Sequence, residues 1–186
     1  MERTLHRNQR VTGRVVLISF SKGLGWGFLG GLFGTMVMDL VLMRALAAVG
    51  LPVLTCFSIV GSTVAGLFLM QSVEMAYTIQ LGVITHYLVG PLFGAVFGML
   101  VARIEALQVN TLKKSILLAI IFIEILSQPM LAVTPILLKM TIPAILQWYS
   151  GAFIMHMFMA VVLGSVVGYG LGSAPLIKQP RTQSKS

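Results

Sequence analysis

The sequence predicts an all-α polytopic membrane protein: four transmembrane helices in a bundle, with a duplicated helical hairpin and an outer interfacial or re-entrant helix. Four apolar runs, residues 23–43, 83–101, 116–138 and 152–171, each reach the roughly 20 residues that cross a hydrocarbon core about 30 Å thick. The chain is 57% hydrophobic and 10% charged, with a mean hydropathy of +0.95, a balance that polar surface cannot cover in water. Its formal charge of +8 gathers at alternate ends of the runs. That is how the cytoplasmic loops of membrane proteins carry their excess Lys and Arg.

Taken in order, residues 1–22 form a basic cytoplasmic lead holding Arg3, Arg7, Arg10, Arg14 and Lys22. It runs into a full-length span with no A-x-A-like site after it, so it is expected to act as an anchor. Arg7, Arg10 and Arg14 stand at helical spacing and either lie along the anionic leaflet or serve as a solvated flank that sets orientation. Residues 44–82 form the outer segment. Within it, the stretch from Phe57 to Met70 is apolar but broken by Gly61, Ser62, Thr63 and Gly66. A fifth span there would expose the Arg103, Lys113 and Lys114 loop on the outside, against the charge bias. The stretch is therefore expected to be interfacial or re-entrant, which lipid permits only where protein covers the helix ends. Residues 172–186 make a polar cytoplasmic tail, expected to be disordered, with Lys178, Arg181 and Lys185. Both termini are thus placed in the cytoplasm, and the bilayer, not nucleic acid, is the partner that the basic charge implies.

Small residues point to helix packing. At an offset of 70 residues, His86, Gly90, Gly94 and Gly98 fall on His156, Ala160, Gly164 and Gly168. The first run has its own ladder in Gly23, Gly27 and Gly31. Small residues every fourth position share a helix face and let backbones approach closely, which drives association where lipid offers no hydrophobic gain. Gly27, Gly31, Gly90, Gly94, Gly98, Gly164 and Gly168 are accordingly assigned to helix packing. Each histidine extends such a stripe and should face protein.

Asp39, His86, Glu124 and His156 lie inside the spans, where ionisable residues are functional candidates. Counting 1.5 Å per residue from the span ends brings Asp39 level with the histidines and leaves Glu124 deeper, with Gln128 one turn away. Pro91, Pro129 and Pro135 each free a backbone acceptor nearby. Three readings follow. Polar packing contacts in a structural or accessory subunit of a membrane complex, or in a homo-oligomer, need no cofactor. Asp39, His86, Glu124, His156 and Gln128 would instead serve proton- or cation-coupled transport. His86, His156 and Asp39 would alternatively hold a transition metal, or the two histidines a haem b, with the glycines leaving room for the ring. G-x-S-x-G, H-E-x-x-H and P-loop patterns are absent, so an enzyme is not expected. Cys56, the only cysteine, can form no internal disulfide and has no evident partner in the sequence.

From Gly82 onward the chain resembles the YagU-like inner-membrane proteins of bacteria. Thr85-His86 opens a small-residue helix, Ser127-Gln128-Pro129 precedes Thr134-Pro135 in the next span, and His156 opens the last. The resemblance covers residues 82–172 and implies a multi-pass protein of the bacterial cytoplasmic membrane with no established activity. Asp39 falls outside it.

Overall fold

The computed structural model describes residues 20–68 and 75–172. Residues 1–19 of the basic lead, the polar tail beyond Gly172 and the end of the outer apolar stretch lie outside them. The described chain is all-helical: α1 (Phe20–Ala48), α2 (Thr55–Phe68), α3 (Met75–Arg103), α4 (Leu112–Leu137) and α5 (Ile142–Gly172), with one 3₁₀ turn at Glu105–Leu107. Helices α1, α3, α4 and α5 are long and apolar enough to cross a membrane. Helix α2, with 14 residues, extends about 21 Å and falls short of a span.

Each long helix exceeds the apolar run that announces it, because a helix needs only local hydrogen bonds while a hydropathy run stops at the first polar cluster. Helix α5 is the extreme case. It starts at Ile142, ten residues before the run, and carries Gln147, Tyr149 and Ser150 in its first half. Its start follows a sharp stop in α4. Lys139 takes the left-handed conformation (φ 48°), Met140 N–H donates to the Pro135 carbonyl at 3.0 Å and Lys139 N–H to Ile136 at 3.3 Å, the two bonds of a Schellman cap. Helix α1 ends the same way. Gly50 (φ 73°) donates to Ala47, and Leu51 donates to Leu46 at 2.9 Å. At the other end of the bundle Thr111 caps α4 by accepting from the Lys114 N–H, and Lys114 Nζ donates to the carbonyls of Ala106 and Gln108 to close the 3₁₀ turn.

Helix α1 is central and packs on both α3 and α5, with α4 on α5 and α2 on α3. The α1–α3 contact is backbone on backbone. A Cβ on Gly94 would strike the Gly27 carbonyl and come within 2.6 Å of Gly31 Cα, and one on Gly31 would strike the Gly90 carbonyl. Gly30 and Gly34, on another face of α1, meet Leu163 and Met159 of α5. Where α4 meets α5, a Cβ on Gly164 would lie 2.6 Å from Ile116 Cα, and Ser115 Oγ donates to the Gly164 carbonyl at 2.6 Å.

These contacts reveal the duplicated hairpin. Gly94 meets Gly31 and Gly98 meets Gly27; 70 residues on in α5, Gly164 meets Ile116 and Gly168 meets Leu112. Ile116 and Leu112 lie 85 residues after Gly31 and Gly27. The 15-residue mismatch between the two offsets is close to the 14 residues of α2, inserted between the helices of the first pair. The apolar core joins the four long helices on the side of the histidines nearer the Phe20 and Gly172 ends. It includes Phe97, Val101, Ala119, Ile123, Leu163 and Val167, with the Phe97 and Phe122 rings 5.4 Å apart.

Candidate functional site: two imidazole–carboxylate pairs

The helix registers dictate which ionisable groups meet. Gly31 opposes Gly94 across an antiparallel pair; Asp39 lies two turns further along α1, and His86 lies two turns earlier on α3. The two side chains therefore arrive at one level. His86 Nδ1 and Asp39 Oδ1 are 3.0 Å apart, and Asp39 is 3% exposed. In the second pair Ile116 opposes Gly164, so the same two-turn steps bring Glu124 to His156. Their Oε1 and Nδ1 atoms stand 3.6 Å apart, an ion-pair distance too long for a hydrogen bond.

Thr35 keeps the first pair in register. Its hydroxyl donates to the Gly31 carbonyl, and any Cβ at Gly90 would collide with it. The pairs remain incompletely satisfied: Asp39 Oδ2, Glu124 Oε1 and His156 Nδ1 are buried without a hydrogen-bond partner among the described residues. Buried polar atoms are ordinarily paired, so these atoms call for an explanation beyond helix packing.

The structure sorts the remaining candidates. Asp39 joins His86 directly, as its depth suggests, whereas Glu124 joins His156 and does not lie a layer below. Gln128 turns away: its amide donates to the Glu124 backbone carbonyl at 3.1 Å on an exposed face. Among the described residues no three His, Cys, Asp or Glu side chains form a metal-ligating group. The space beside Gly90, Gly94 and Gly98 is filled by α1 backbone and the Thr35 side chain, and that beside Gly164 by α4. Of the acceptors freed by proline, the Leu131 carbonyl, one turn before Pro135, is taken by the Trp148 indole N–H at 3.3 Å.

A third element meets the site from α2. Gly61 lies against the Thr78 carbonyl and Gly82 against Phe57, so α2 presses its first turn onto α3. Phe57 stands edge-on to the His86 ring, 5.1 Å between centroids. The sequence carried a signal for this contact, since Gly61 and Gly82 are small residues that permit close approach. No protein-family model, curated protein or solved structure matches the chain.

Proposed function

We propose that this multi-pass membrane protein binds and exchanges protons at its two imidazole–carboxylate pairs, as the coupling site of a proton- or cation-linked process. The observation that carries this reading is Asp39, almost fully buried, with one carboxylate oxygen on an imidazole and the other without a hydrogen-bond partner among the described residues. A carboxyl group at membrane depth costs about 2.5–3.5 kcal/mol, while an interhelical hydrogen bond returns on average only about 0.6 kcal/mol. Packing alone does not account for two such groups. A proton shared between imidazole and carboxylate removes the net charge and makes the pair a reversible proton store.

In this reading both termini are cytoplasmic. Lys22, Arg103, Lys113 and Lys114 mark the cytoplasmic end, with Arg44 and Lys139 at the other. The YagU-like resemblance adds a bacterial cytoplasmic membrane as the setting. The apolar layer at Phe97 and Phe122 separates the pairs from the basic end, so exchange takes place with the outer side in the conformation described. A structural or accessory role is the second reading, favoured by the backbone-to-backbone glycine contacts, which give α1 and α3 a fixed interface. Proteoliposomes carrying an internal pH dye separate the two. Proton entry above empty vesicles, lost in Glu124→Gln while folding stability is kept, supports the proton reading; Gln preserves size and hydrogen bonding but cannot exchange a proton. Equal signals from wild type and empty vesicles would overturn it in favour of the structural role.

A further inference from the structure

Helix α4 carries a polar side chain where lipid should touch the protein. Leu117, Ile121, Ile125, Gln128, Ala132 and Ile136 are all exposed, and at about 100° per residue they share one face of the helix. It is the least buried of the four spans and packs mainly on α5. Phe33 and Leu40 on α1, and Leu88 and Leu92 on α3, show what lipid-facing positions here ordinarily carry. Gln128 breaks that rule far from either membrane surface. It lies 14 residues from Lys114 and 11 from Lys139, so roughly 21 Å and 16 Å of helix separate it from the basic residues at the two ends. Water does not satisfy polar groups on a lipid-facing surface at that depth. One amide hydrogen goes to the Glu124 carbonyl; the second N–H and the amide oxygen have no partner among the described residues.

We infer that α4 pairs with α4 of a second copy of this chain, in a parallel two-fold dimer in which Gln128 bonds Gln128. Charge complementarity selects this occupant. A primary amide carries both donors and an acceptor, so it is complementary to itself, whereas a carboxylate or an ammonium group is not. A second copy inserted in the same sense also brings its amide to the same depth, because a two-fold axis along the membrane normal sets equal residues opposite each other. The free N–H of each amide then meets the oxygen of the other, the kind of bond that joins polar side chains across membrane helices. The spacing agrees. Ile121 and Gln128, like Ile125 and Ala132, stand seven residues apart, the a/d repeat of a left-handed helix pair in which one polar residue fixes the register. Ala132, one turn beyond the amide, is small enough to let the two helices come close. The inference goes beyond the proton reading and does not depend on it: the contact uses the open face of α4, while Glu124 meets His156 on the α5 side.

Sedimentation equilibrium of the full chain in density-matched micelles tests the pairing. Wild type is expected to dimerise, and Gln128→Leu to raise the dissociation constant about three- to thirtyfold, the range for one interhelical side-chain hydrogen bond in a membrane. Leu keeps the size and suits lipid in the monomer, so folding should be kept, which circular dichroism checks. Cross-linking in proteoliposomes locates the face. With Cys56→Ser removing the native thiol, Ile121→Cys, one heptad before Gln128, should form a disulfide-linked dimer on oxidation by copper phenanthroline. Leu88→Cys, on the exposed face of α3, should not. A chain that stays monomeric at the highest protein-to-detergent ratio, equal dissociation constants for wild type and Gln128→Leu, or cross-linking through Leu88→Cys and not Ile121→Cys would overturn the inference. Gln128→Leu leaves Glu124 and His156 in place, so its proton flux reports separately on the proton reading.

Discussion

Replacing Gly94 with Ala is the sharpest test of how α1 and α3 are held. One methyl group is added, but it is directed at backbone: the Gly27 carbonyl, Gly31 Cα at 2.6 Å and Gly31 N at 2.7 Å. Carbon atoms prefer about 3.5–4.0 Å, so the helices must separate by roughly 1 Å along this seam. No flexible side chain can absorb the clash. Overpacking of this kind costs about 1–3 kcal/mol, and the parting also loosens Gly27 and Gly98 on either side. Gly25→Ala, on the same helix with open space around its Cβ, is the control. In a membrane the unfolded reference keeps its helices, so the helical preference of Ala nearly cancels and the control should stay within about 0.5 kcal/mol of wild type. Reversible unfolding in mixed micelles, followed by circular dichroism and tryptophan fluorescence, should thus show Gly94→Ala at least about 1 kcal/mol below Gly25→Ala. Equal stability of the two variants would refute the backbone-on-backbone seam and the register that joins Asp39 to His86.

Two polar contacts across helices should differ in size for a stated reason. Ser115→Ala removes the donor to the Gly164 carbonyl, which still has its own helical partner, so the loss in the same assay should be near 0.6 kcal/mol. Trp148→Phe orphans the Leu131 carbonyl, whose helical donor Pro135 has already removed, and should cost about 1–3 kcal/mol. Pro135→Ala in the Trp148→Phe background restores a backbone N–H and should recover part of that loss; strict additivity of the two changes would refute the account.

The spans and the packing faces were legible in the sequence because both depend on periodicity alone: apolar runs of sufficient length, and glycine every fourth residue. Partner choice was not legible. Nothing in the sequence says that α1 lies between α3 and α5, so depth had to be reckoned from span edges, and that reckoning placed Glu124 below the histidines. Helix α4 in fact begins at Leu112, and contact with Gly164 through Ile116 sets its register. The duplication was half visible, because the α3 and α5 stripes align while α4 carries Leu112 and Ile116 where α1 has Gly27 and Gly31. The Phe57 contact with His86 was hidden for another reason. An apolar stretch too short and too glycine-rich to span reads as a surface element, and its docking on α3 is specified by small residues spread over two helices.

That unequal duplication explains why the two pairs differ. Glycine at positions 27 and 31 lets α1 settle against α3, and further glycines at 30 and 34 let it settle against α5, so Asp39 is enclosed from two sides. Helix α4 has no glycine, presents Ile116 and Leu112 to α5 instead, and packs mainly on that one neighbour. The result is a closed pair and a looser one: 3.0 Å with side chains 13% and 4% exposed at His86 and Asp39, against 3.6 Å with 18% and 19% at His156 and Glu124. A buried, bonded carboxylate holds its proton partner firmly, whereas one at longer range and partly open exchanges with less reorganisation. Within the proton reading, the Asp39 pair stores and the Glu124 pair exchanges. The 14 residues of α2 reinforce the division, since they cover the His86 side, and the second hairpin has no counterpart among the described residues.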